Sequence, residues 1–259
     1  MPADAGDAPG MLGGRRVLVT GGSRGLGRAL VLRACAEGAR VAFTYSKDAG
    51  AAEATRAEAV AMRAGPDADV RAFQVSVLDV AATESLVDQL DRDWGGLDAL
   101  VNNAGISQAL PLALIDEEDW DTVMDVNAKG TYLTSRAVLP LMMRQRSGVI
   151  LNLGSLAGER ALEAPVHYAA SKAAVSGLTR AMAKAVGRHQ IRVVCLAPGL
   201  LEDGVGKNVP DHKLADYLRH CALGRIGTFE EVACFAVFLL SDRVAYLSGE
   251  TIVLDGGVS

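Results

Sequence analysis

The 259-residue sequence is poor in the features that mark several functional classes. Aromatic residues make up 5% of it and the net charge is −5, so neither a base-stacking platform nor a basic nucleic-acid surface is expected. It has no Lys/Arg cluster, and no apolar run approaches the roughly 20 residues that a membrane span needs. The sequence therefore predicts a protein that binds neither nucleic acid nor membrane.

Cysteine and histidine are few and scattered. The four cysteines contain no CxxC pair and the four histidines form no ligand cluster, so no metal site is expected and the thiols are most simply core residues in a reducing compartment. The first ten residues, MPADAGDAPG, lack the basic and apolar regions of a signal peptide. We therefore expect a soluble, cytoplasmic protein. The cysteines are Cys35, Cys195, Cys221 and Cys234.

What the sequence does contain is an alternation of short β-branched runs with helical patterns. Seven runs are candidate strands, at residues 16–20, 40–44, 70–75, 97–102, 148–153, 191–197 and 251–255. Helical patterns lie between them, at residues 25–37, 51–63, 83–94, 117–144, 168–186 and 230–240. Several strands are apolar almost throughout, which is typical of strands covered on both faces.

This alternation predicts an α/β fold: one Rossmann-type, doubly wound domain with a seven-stranded parallel sheet and helices on both faces. No linker, repeat or shift in composition follows residue 14. We assign residues 14–259 to the domain and residues 1–13 to a disordered lead-in.

The stretch TGGSRGLG, residues 20–27, joins the first strand to the first helix. Glycines at this junction allow a tight turn, close approach of backbone N–H groups to a pyrophosphate, and close packing of helix on strand. The N-terminus of the helix adds partial positive charge. A plain glycine-rich turn is the alternative, but the position at the first strand-to-helix junction favours a dinucleotide site.

The end of the second strand indicates which dinucleotide would bind. NAD enzymes usually place an acidic residue there for the ribose 2′-hydroxyl, whereas this strand ends in Tyr45 and Ser46, followed by Lys47. Arg24 in the glycine loop adds a cation that suits a 2′-phosphate. The pattern favours NADP(H), with Asp48 as the one carboxylate that could serve the 2′-hydroxyl instead.

Tyr168 and Lys172 lie four residues apart in PVHYAASKAAVSG, so both should project from one face of a helix. A phenol normally keeps its proton to about pH 10. We expect the Lys172 ammonium to lower the pKa of Tyr168 toward the working pH, where a general acid is most effective. A YxxxK spacing alone is a common coincidence.

Three further segments bear on this interpretation. Ser155 follows the fifth strand, at the sheet edge where ligands bind in doubly wound folds, and could hold a substrate oxygen. NNAG, residues 102–105, follows the fourth strand with small residues that fit beside a cofactor. Asn127 falls in mid-helix, a poor position for asparagine, so a polar role inside the helix is plausible.

Together these segments resemble the short-chain dehydrogenase/reductase family over nearly the whole chain, from about Arg16 to Val258. TGxxxGxG, NNAG, the mid-helix asparagine, the serine, YxxxK and the APG of residues 197–199 occur in the family's order. By this resemblance Tyr168 is the general acid/base, Lys172 lowers its pKa and binds the nicotinamide ribose, Ser155 orients the carbonyl, and Asn127 holds a proton-relaying water. The cofactor-binding residues so implied are Gly21, Ser23, Arg24, Gly25, Leu26, Gly27, Tyr45, Ser46, Asn103, Ala104, Gly105, Tyr168, Lys172, Pro198 and Gly199.

Within the family, the sequence is most similar to 3-oxoacyl-[acyl-carrier-protein] reductases and polyketide ketoreductases. The resemblance implies NADPH-dependent reduction of a 3-oxoacyl thioester, in fatty-acid or polyketide synthesis, by a homotetramer. Arg136 and Lys184 occupy helix positions where relatives carry docking cations for an acyl carrier protein; a solvated helix face is the alternative for both.

Two positions depart from the family pattern. Ser76 stands where an adenine-contacting aspartate is common, and Asp203 stands where a threonine usually follows the PG. The segment of about residues 200–223 is expected to close over the substrate. Its apolar residues could line an acyl tunnel or simply pack: Leu200, Leu201, Val205, Val209 and Leu214.

Two other functions remain open. One is an NAD(P)-dependent dehydrogenase of a free alcohol, sugar or steroid. The other, more remote, is a nucleotide-binding scaffold without turnover. The complete set of Asn127, Ser155, Tyr168 and Lys172 argues against the scaffold.

Overall fold

The computed structural model describes residues 10–62, 69–202 and 211–259. Its centre is one parallel sheet with strand order β3-β2-β1-β4-β5-β6-β7. The strands are β1 (Arg16–Val19), β2 (Arg40–Tyr45), β3 (Val70–Gln74), β4 (Ala99–Asn102), β5 (Gly148–Leu153), β6 (Ile191–Pro198) and β7 (Thr251–Leu254). The seven-stranded, doubly wound sheet expected from the sequence is confirmed.

The strand order changes direction between β1 and β4. β2 and β3 follow β1 on one side of it, whereas β4 to β7 follow one another on the other side. Val17 of β1 is in register with both Val41 of β2 and Ala99 of β4. The loops after β1 and β4 therefore diverge at this point, which leaves a crevice at the carboxyl edge of the sheet.

Eight α-helices in the described part of the chain cover the two faces. They are α1 (Gly25–Ala36), α2 (Ala49–Met62), α3 (Val80–Trp94), α4 (Glu117–Met124), α5 (Gly130–Gln145), α6 (Val166–Val186), α7 (Asp211–His220) and α8 (Phe229–Leu240). The prediction of a single helix over residues 117–144 is wrong in one respect, because a π-helical segment, Asp125–Lys129, separates α4 from α5. Helix α7 was not predicted.

Alternate residues of each central strand enter different cores. Val17 and Val19 pack with α1, α2 and α8 in one apolar cluster, whereas Leu18 packs with α3, α5 and α6 in the other. This follows from the two-residue period of a strand and explains why strands such as β4 and β5 are buried along their whole length. Within the described ranges, no helix is both long and apolar enough to cross a membrane.

Residues 1–9 lie outside the described residues. Residues 10–13, also assigned to the lead-in, form a turn in which Leu12 is fully buried and its N–H donates to the Glu37 carbonyl at 3.0 Å.

Three cysteines are buried as expected, but Cys234 on α8 is exposed, which corrects the assignment of all four to the core.

Candidate active site

The glycine loop between β1 and α1 has the backbone shape that its sequence predicts. Gly21 and Gly25 have φ angles of +67° and +55°, in the left-handed region that favours glycine. A Cβ on Gly27 would lie 2.0 Å from the Gly21 carbonyl oxygen, so helix and loop can approach only because this residue has no side chain.

The loop is tied to the end of β4 by Thr20 and Asn103. The Thr20 Oγ1 accepts the N–H groups of Asn103 and Ala104, both at 3.0 Å. The Asn103 Nδ2 donates to the carbonyl oxygens of Thr20 and Gly21 at 3.0 and 3.1 Å. These bonds hold the two loops at the crevice in one fixed arrangement.

This arrangement fits a dinucleotide. Arg24, the N-cap of α1, makes no side-chain hydrogen bond to the first turn of its helix, so the helix presents N–H donors and partial positive charge at the crevice, as an anion site requires. The other residues predicted to bind a cofactor lie at the carboxyl ends of strands or at the start of α1. Ser23 and Leu26 are partly buried, before and within the first turn of α1; Tyr45 ends β2 and Ser46 follows it; Pro198 ends β6 and Gly199 follows it.

The end of β2 presents cations and hydroxyls to solvent. Ser46 and Lys47 are exposed, as is Arg24 across the loop. The Asp48 carboxylate instead accepts the Ala51 N–H at 2.8 Å, at the start of α2. The carboxylate that could have served a ribose 2′-hydroxyl is therefore engaged in a turn of its own chain.

Ser155 and Tyr168 meet at the carboxyl end of β5. Ser155 begins a short 3₁₀ turn, Leu156–Gly158, and Tyr168 lies in the first turn of α6. A Cβ on Gly158 would lie 2.6 Å from the Ala173 backbone nitrogen, so this glycine lets the turn press against α6. The Ser155 hydroxyl is close enough to the Tyr168 phenol to favour its ionised form.

The expected lowering of the Tyr168 pKa is wrong for this structure. Burial raises the pKa of the phenol above its usual value, because the phenolate loses solvation, and the Ser155 hydroxyl only partly opposes this. The Lys172 Nζ lies 5.8 Å from the centroid of the Tyr168 ring. It approaches the face of the ring, and burial of the phenol outweighs any help that this charge gives to the phenolate.

Lys172 is itself in an unfavourable place for a charge. Its side chain is 6% exposed, and burial lowers its pKa from 10.5 to about 8. The Nζ donates to the Leu153 carbonyl at 2.7 Å. The pair thus consists of a phenol that holds its proton and an ammonium that holds its proton weakly.

Asn127 lies in the π-helical segment, whose wider turn is common at functional sites. It is 1% exposed. Its Oδ1 accepts the Ile106 N–H at 2.8 Å, and its Nδ2 donates to the Ile106 carbonyl and to the Ser171 Oγ, both at 2.9 Å. Its side chain therefore fixes the loop after NNAG to α6.

Gly105 shows how closely these groups approach one another. A Cβ there would lie 3.1 Å from the Asn127 Oδ1 and 3.5 Å from the Lys172 Nζ. The structure thus brings Asn127, Ser155, Tyr168 and Lys172 together beside the glycine loop.

The predicted lid falls partly outside the described residues, with Asp203, Val205 and Val209 among the positions that are not described. Of the rest, Leu201 packs against the core, and Leu200 and Leu214 are partly buried. The Leu200 N–H donates to the Tyr217 hydroxyl of α7 at 2.9 Å.

A second contact joins α7 to the segment between β5 and α6. Lys213 lies 2.6 Å from Glu163, in the segment before α6. Helix α7 is therefore attached both to the end of β6 and to the loop that carries Ser155.

Sequence reasoning missed three residues of this arrangement: Thr20, Gly158 and Ser171. Thr20 and Ser171 lie inside the TGGSRGLG and YAASK motifs, and only their contacts show that they anchor loops. The other departure, Ser76, accepts the Leu78 N–H at 3.3 Å and so shapes the turn before α3. Within the ranges described, no group of three His, Cys, Asp or Glu side chains could hold a metal ion.

Comparisons with known proteins agree with this geometry. Residues 21–259 match the family model described as enoyl-(acyl carrier protein) reductase. The chain is similar to the 3-oxoacyl-[acyl-carrier-protein] reductase FabG of Thermotoga maritima, at 36% identity over 95% of this chain and 98% of the relative. It is also similar to the FabG of Escherichia coli K12, at 34% identity over 95% and 97%.

Solved structures show the same architecture. Levodione reductase superposes with a TM-score of 0.88 at 32% identity, covering 95% of this chain and 98% of its own. A putative short-chain alcohol dehydrogenase from Sinorhizobium meliloti 1021 superposes with a TM-score of 0.87 at 35% identity, covering 95% and 97%.

Proposed function

The chain belongs to the short-chain dehydrogenase/reductase family, and on that premise we propose that it reduces a 3-oxoacyl thioester to the 3-hydroxyacyl thioester. The observation that carries this proposal is the placement of Tyr168 beside Lys172, with Ser155 at the start of the turn that packs against α6. The curated relatives named as 3-oxoacyl-[acyl-carrier-protein] reductases support the substrate class.

The residues divide the reaction between them. When bound, a reduced nicotinamide cofactor, which this family uses, would supply a hydride, and hence two electrons, for the carbonyl carbon. The Ser155 hydroxyl holds the carbonyl oxygen, and Tyr168 gives that oxygen the proton from its own hydroxyl. Solvent then returns a proton to the phenolate. The Lys172 ammonium stabilises negative charge as it develops near the ring.

The raised pKa of Tyr168 suits reduction rather than oxidation. A general acid must hold its proton until the carbonyl oxygen becomes basic, and burial keeps this phenol protonated at neutral pH. Oxidation of an alcohol would need the phenolate, which the same burial disfavours.

Tyr168→Phe tests the assignment of the acid. With acetoacetyl and longer 3-oxoacyl thioesters, we expect turnover to fall by roughly 10³-fold, while cofactor binding remains. Tyr246→Phe, at a fully exposed tyrosine, is the matched control. Turnover by Tyr168→Phe at the parent's rate would show that another group supplies the proton.

NADPH is the cofactor that the end of β2 favours. Arg24, Ser46 and Lys47 are exposed where they can meet a 2′-phosphate, and Asp48 accepts the Ala51 N–H at the start of α2. Arg24→Ala should therefore weaken NADPH by about tenfold and NADH by less than about twofold. Arg28→Ala, within the first turn of α1 and paired with Glu58, is the control; equal losses for both cofactors would remove the argument.

A free alcohol or small ketone is the second candidate substrate, because the similar solved structures include levodione reductase and a putative alcohol dehydrogenase. The panel should therefore contain 3-oxoacyl and 2-enoyl thioesters, free ketones and free alcohols. Activity confined to free ketones and alcohols would replace the thioester proposal.

We also propose that the chain forms a homotetramer and that Arg136 and Lys184 dock an acyl carrier protein. Trp120 of α4 and Tyr132 of α5 are 38% and 49% exposed, which suits helices that pair in a homotetramer. Lys184 is exposed, and Arg136 lies 3.9 Å from Glu84. Light scattering tests whether the chain is a tetramer. Charge reversal at Lys184, compared on carrier-bound and coenzyme A thioesters, tests whether this lysine docks the carrier protein.

A further inference from the structure

The loop between β4 and α4 is fastened at its outer end by a buried histidine. His167, the residue before Tyr168, is fully buried, and its Nε2 lies 3.1 Å from the Gln108 Oε1. The Gln108 Nε2 donates to the Asp119 Oδ1 of α4 at 3.0 Å. A chain of three polar side chains therefore joins α6, the loop and α4.

The chemistry of these groups fixes the direction of each bond. A carboxylate only accepts hydrogen bonds, so the amide nitrogen of Gln108 must face Asp119 and its oxygen must face His167. The histidine Nε2 is then the donor. Its Nδ1 is buried, with no hydrogen-bond partner among the described residues.

This pair has little to contribute to stability. A hydrogen bond adds about 1 kcal/mol net, and a buried polar atom left without a partner costs about as much or more. The bonded Nε2 and the unpartnered Nδ1 thus roughly offset each other. An apolar side chain of similar size would fill the same space without that cost.

The loop has two separate attachments. Its inner part, Asn103 and Ala104, is held by Thr20 at the glycine loop. Its outer part is held at Ile106 by Asn127 and at Gln108 by His167. Between them the loop passes Lys172 at Gly105 and reaches the residue that precedes Tyr168.

We propose that Gln108 and His167 are positioning residues: their hydrogen bond sets the outer part of this loop against Tyr168, and so sets the place of the substrate carbonyl. The inner attachment holds the cofactor side of the loop and is independent of the pair. The inference rests on the proposed function only in using a ketone reduction as its assay.

Single and double substitutions test the pair. Gln108→Met and His167→Met remove the bond while keeping apolar bulk. We expect each to lower kcat by about tenfold, as small misplacements near the reacting atoms do, with the cofactor Kd within about twofold of the parent's. Because all three variants lose the same His167–Gln108 bond, the double variant should be no slower than the slower single variant.

Two further variants separate positioning from general loss of packing. His167→Gln keeps an N–H donor and should recover most of the parent's kcat. Gln145→Met removes a similar side-chain clamp, the pair of Gln145 bonds to the Leu97 backbone at 2.9 and 2.8 Å, at the opposite edge of the sheet. It should lower the melting temperature and leave kcat unchanged.

The inference fails if the single variants keep the parent's kcat, if His167→Gln is as slow as His167→Met, or if Gln145→Met slows turnover as much as Gln108→Met. A parallel rise in the cofactor Kd would also overturn it. Should the parent reduce no 3-oxoacyl thioester, the proposed substrate is wrong. The same variants are then compared on the ketone that the parent does reduce.

Discussion

Replacing Lys172 by methionine removes a buried charge from the active site, so it should stabilise the protein while stopping the reaction. The side chain is 6% exposed, and burial lowers its pKa from 10.5 to about 8. At about 1.4 kcal/mol per pH unit, this shift means that the ammonium costs the folded state about 3 kcal/mol at pH 7. Loss of the bond to the Leu153 carbonyl returns about 1 kcal/mol of that.

The net gain expected for Lys172→Met at pH 7 is therefore about 2 kcal/mol, or roughly 4–8 °C in melting temperature for a chain of this size. The gain must depend on pH. Below pH 8 the lysine is protonated in both folded and unfolded states, so its full cost is present. Between pH 8 and 10.5 only the unfolded state holds the proton, so the parent becomes more stable as pH rises.

Urea unfolding of the parent and of Lys172→Met from pH 7 to pH 10, at one protein concentration, measures this difference. We expect it to shrink above pH 8 and to vanish or change sign by pH 10. Lys184→Met, at an exposed lysine of the same helix, should stay within about 0.5 kcal/mol of the parent throughout. A less stable Lys172→Met at pH 7, or a difference that does not vary with pH, would refute the reasoning.

Three other predictions follow from the same geometry. Turnover in the reducing direction should fall as pH rises through about 8, because Lys172 loses its charge there. The phenol stays protonated over this range, because the pKa of Tyr168 is raised. A rate that is level to pH 9.5 would contradict this. Gly27→Ala should abolish cofactor binding in a titration, because its Cβ would lie 2.0 Å from the Gly21 carbonyl oxygen; unchanged affinity would show that the loop can move aside. Arg192→Leu should lower the free energy of unfolding by about 1–3 kcal/mol and leave kcat unchanged. The reason is that the Arg192 guanidinium binds three backbone carbonyls near the amino end of β6. A slower enzyme of parental stability would refute this prediction.

The fold, and the residues that lie together at the candidate site, could be predicted from the sequence for local reasons. Strands covered on both faces must be apolar along their length, as β5 is. A turn that needs positive φ must contain glycine, as at Gly21 and Gly25. Such constraints act over a few residues, so they can be recognised without coordinates.

Errors arose where a property depends on segments distant in the chain. In the π-helical segment, the Asn127 side chain bonds Ile106 and Ser171, neither of which is near it in sequence. Exposure of Cys234 depends on how α8 is packed. The pair of Gln108 and His167 is separated by 59 residues, and neither residue belongs to a motif.

The Tyr168–Lys172 spacing separates what the sequence determined from what the tertiary structure decided. The four-residue interval by itself determined that phenol and amine share one face of α6, because the helical period fixes it. Only the tertiary structure decided the electrostatics, because β5, β6 and the turn at Ser155 enclose that face and exclude water. Burial then raises the pKa of the tyrosine and lowers that of the lysine, since the free energy of a charge depends on everything that surrounds it.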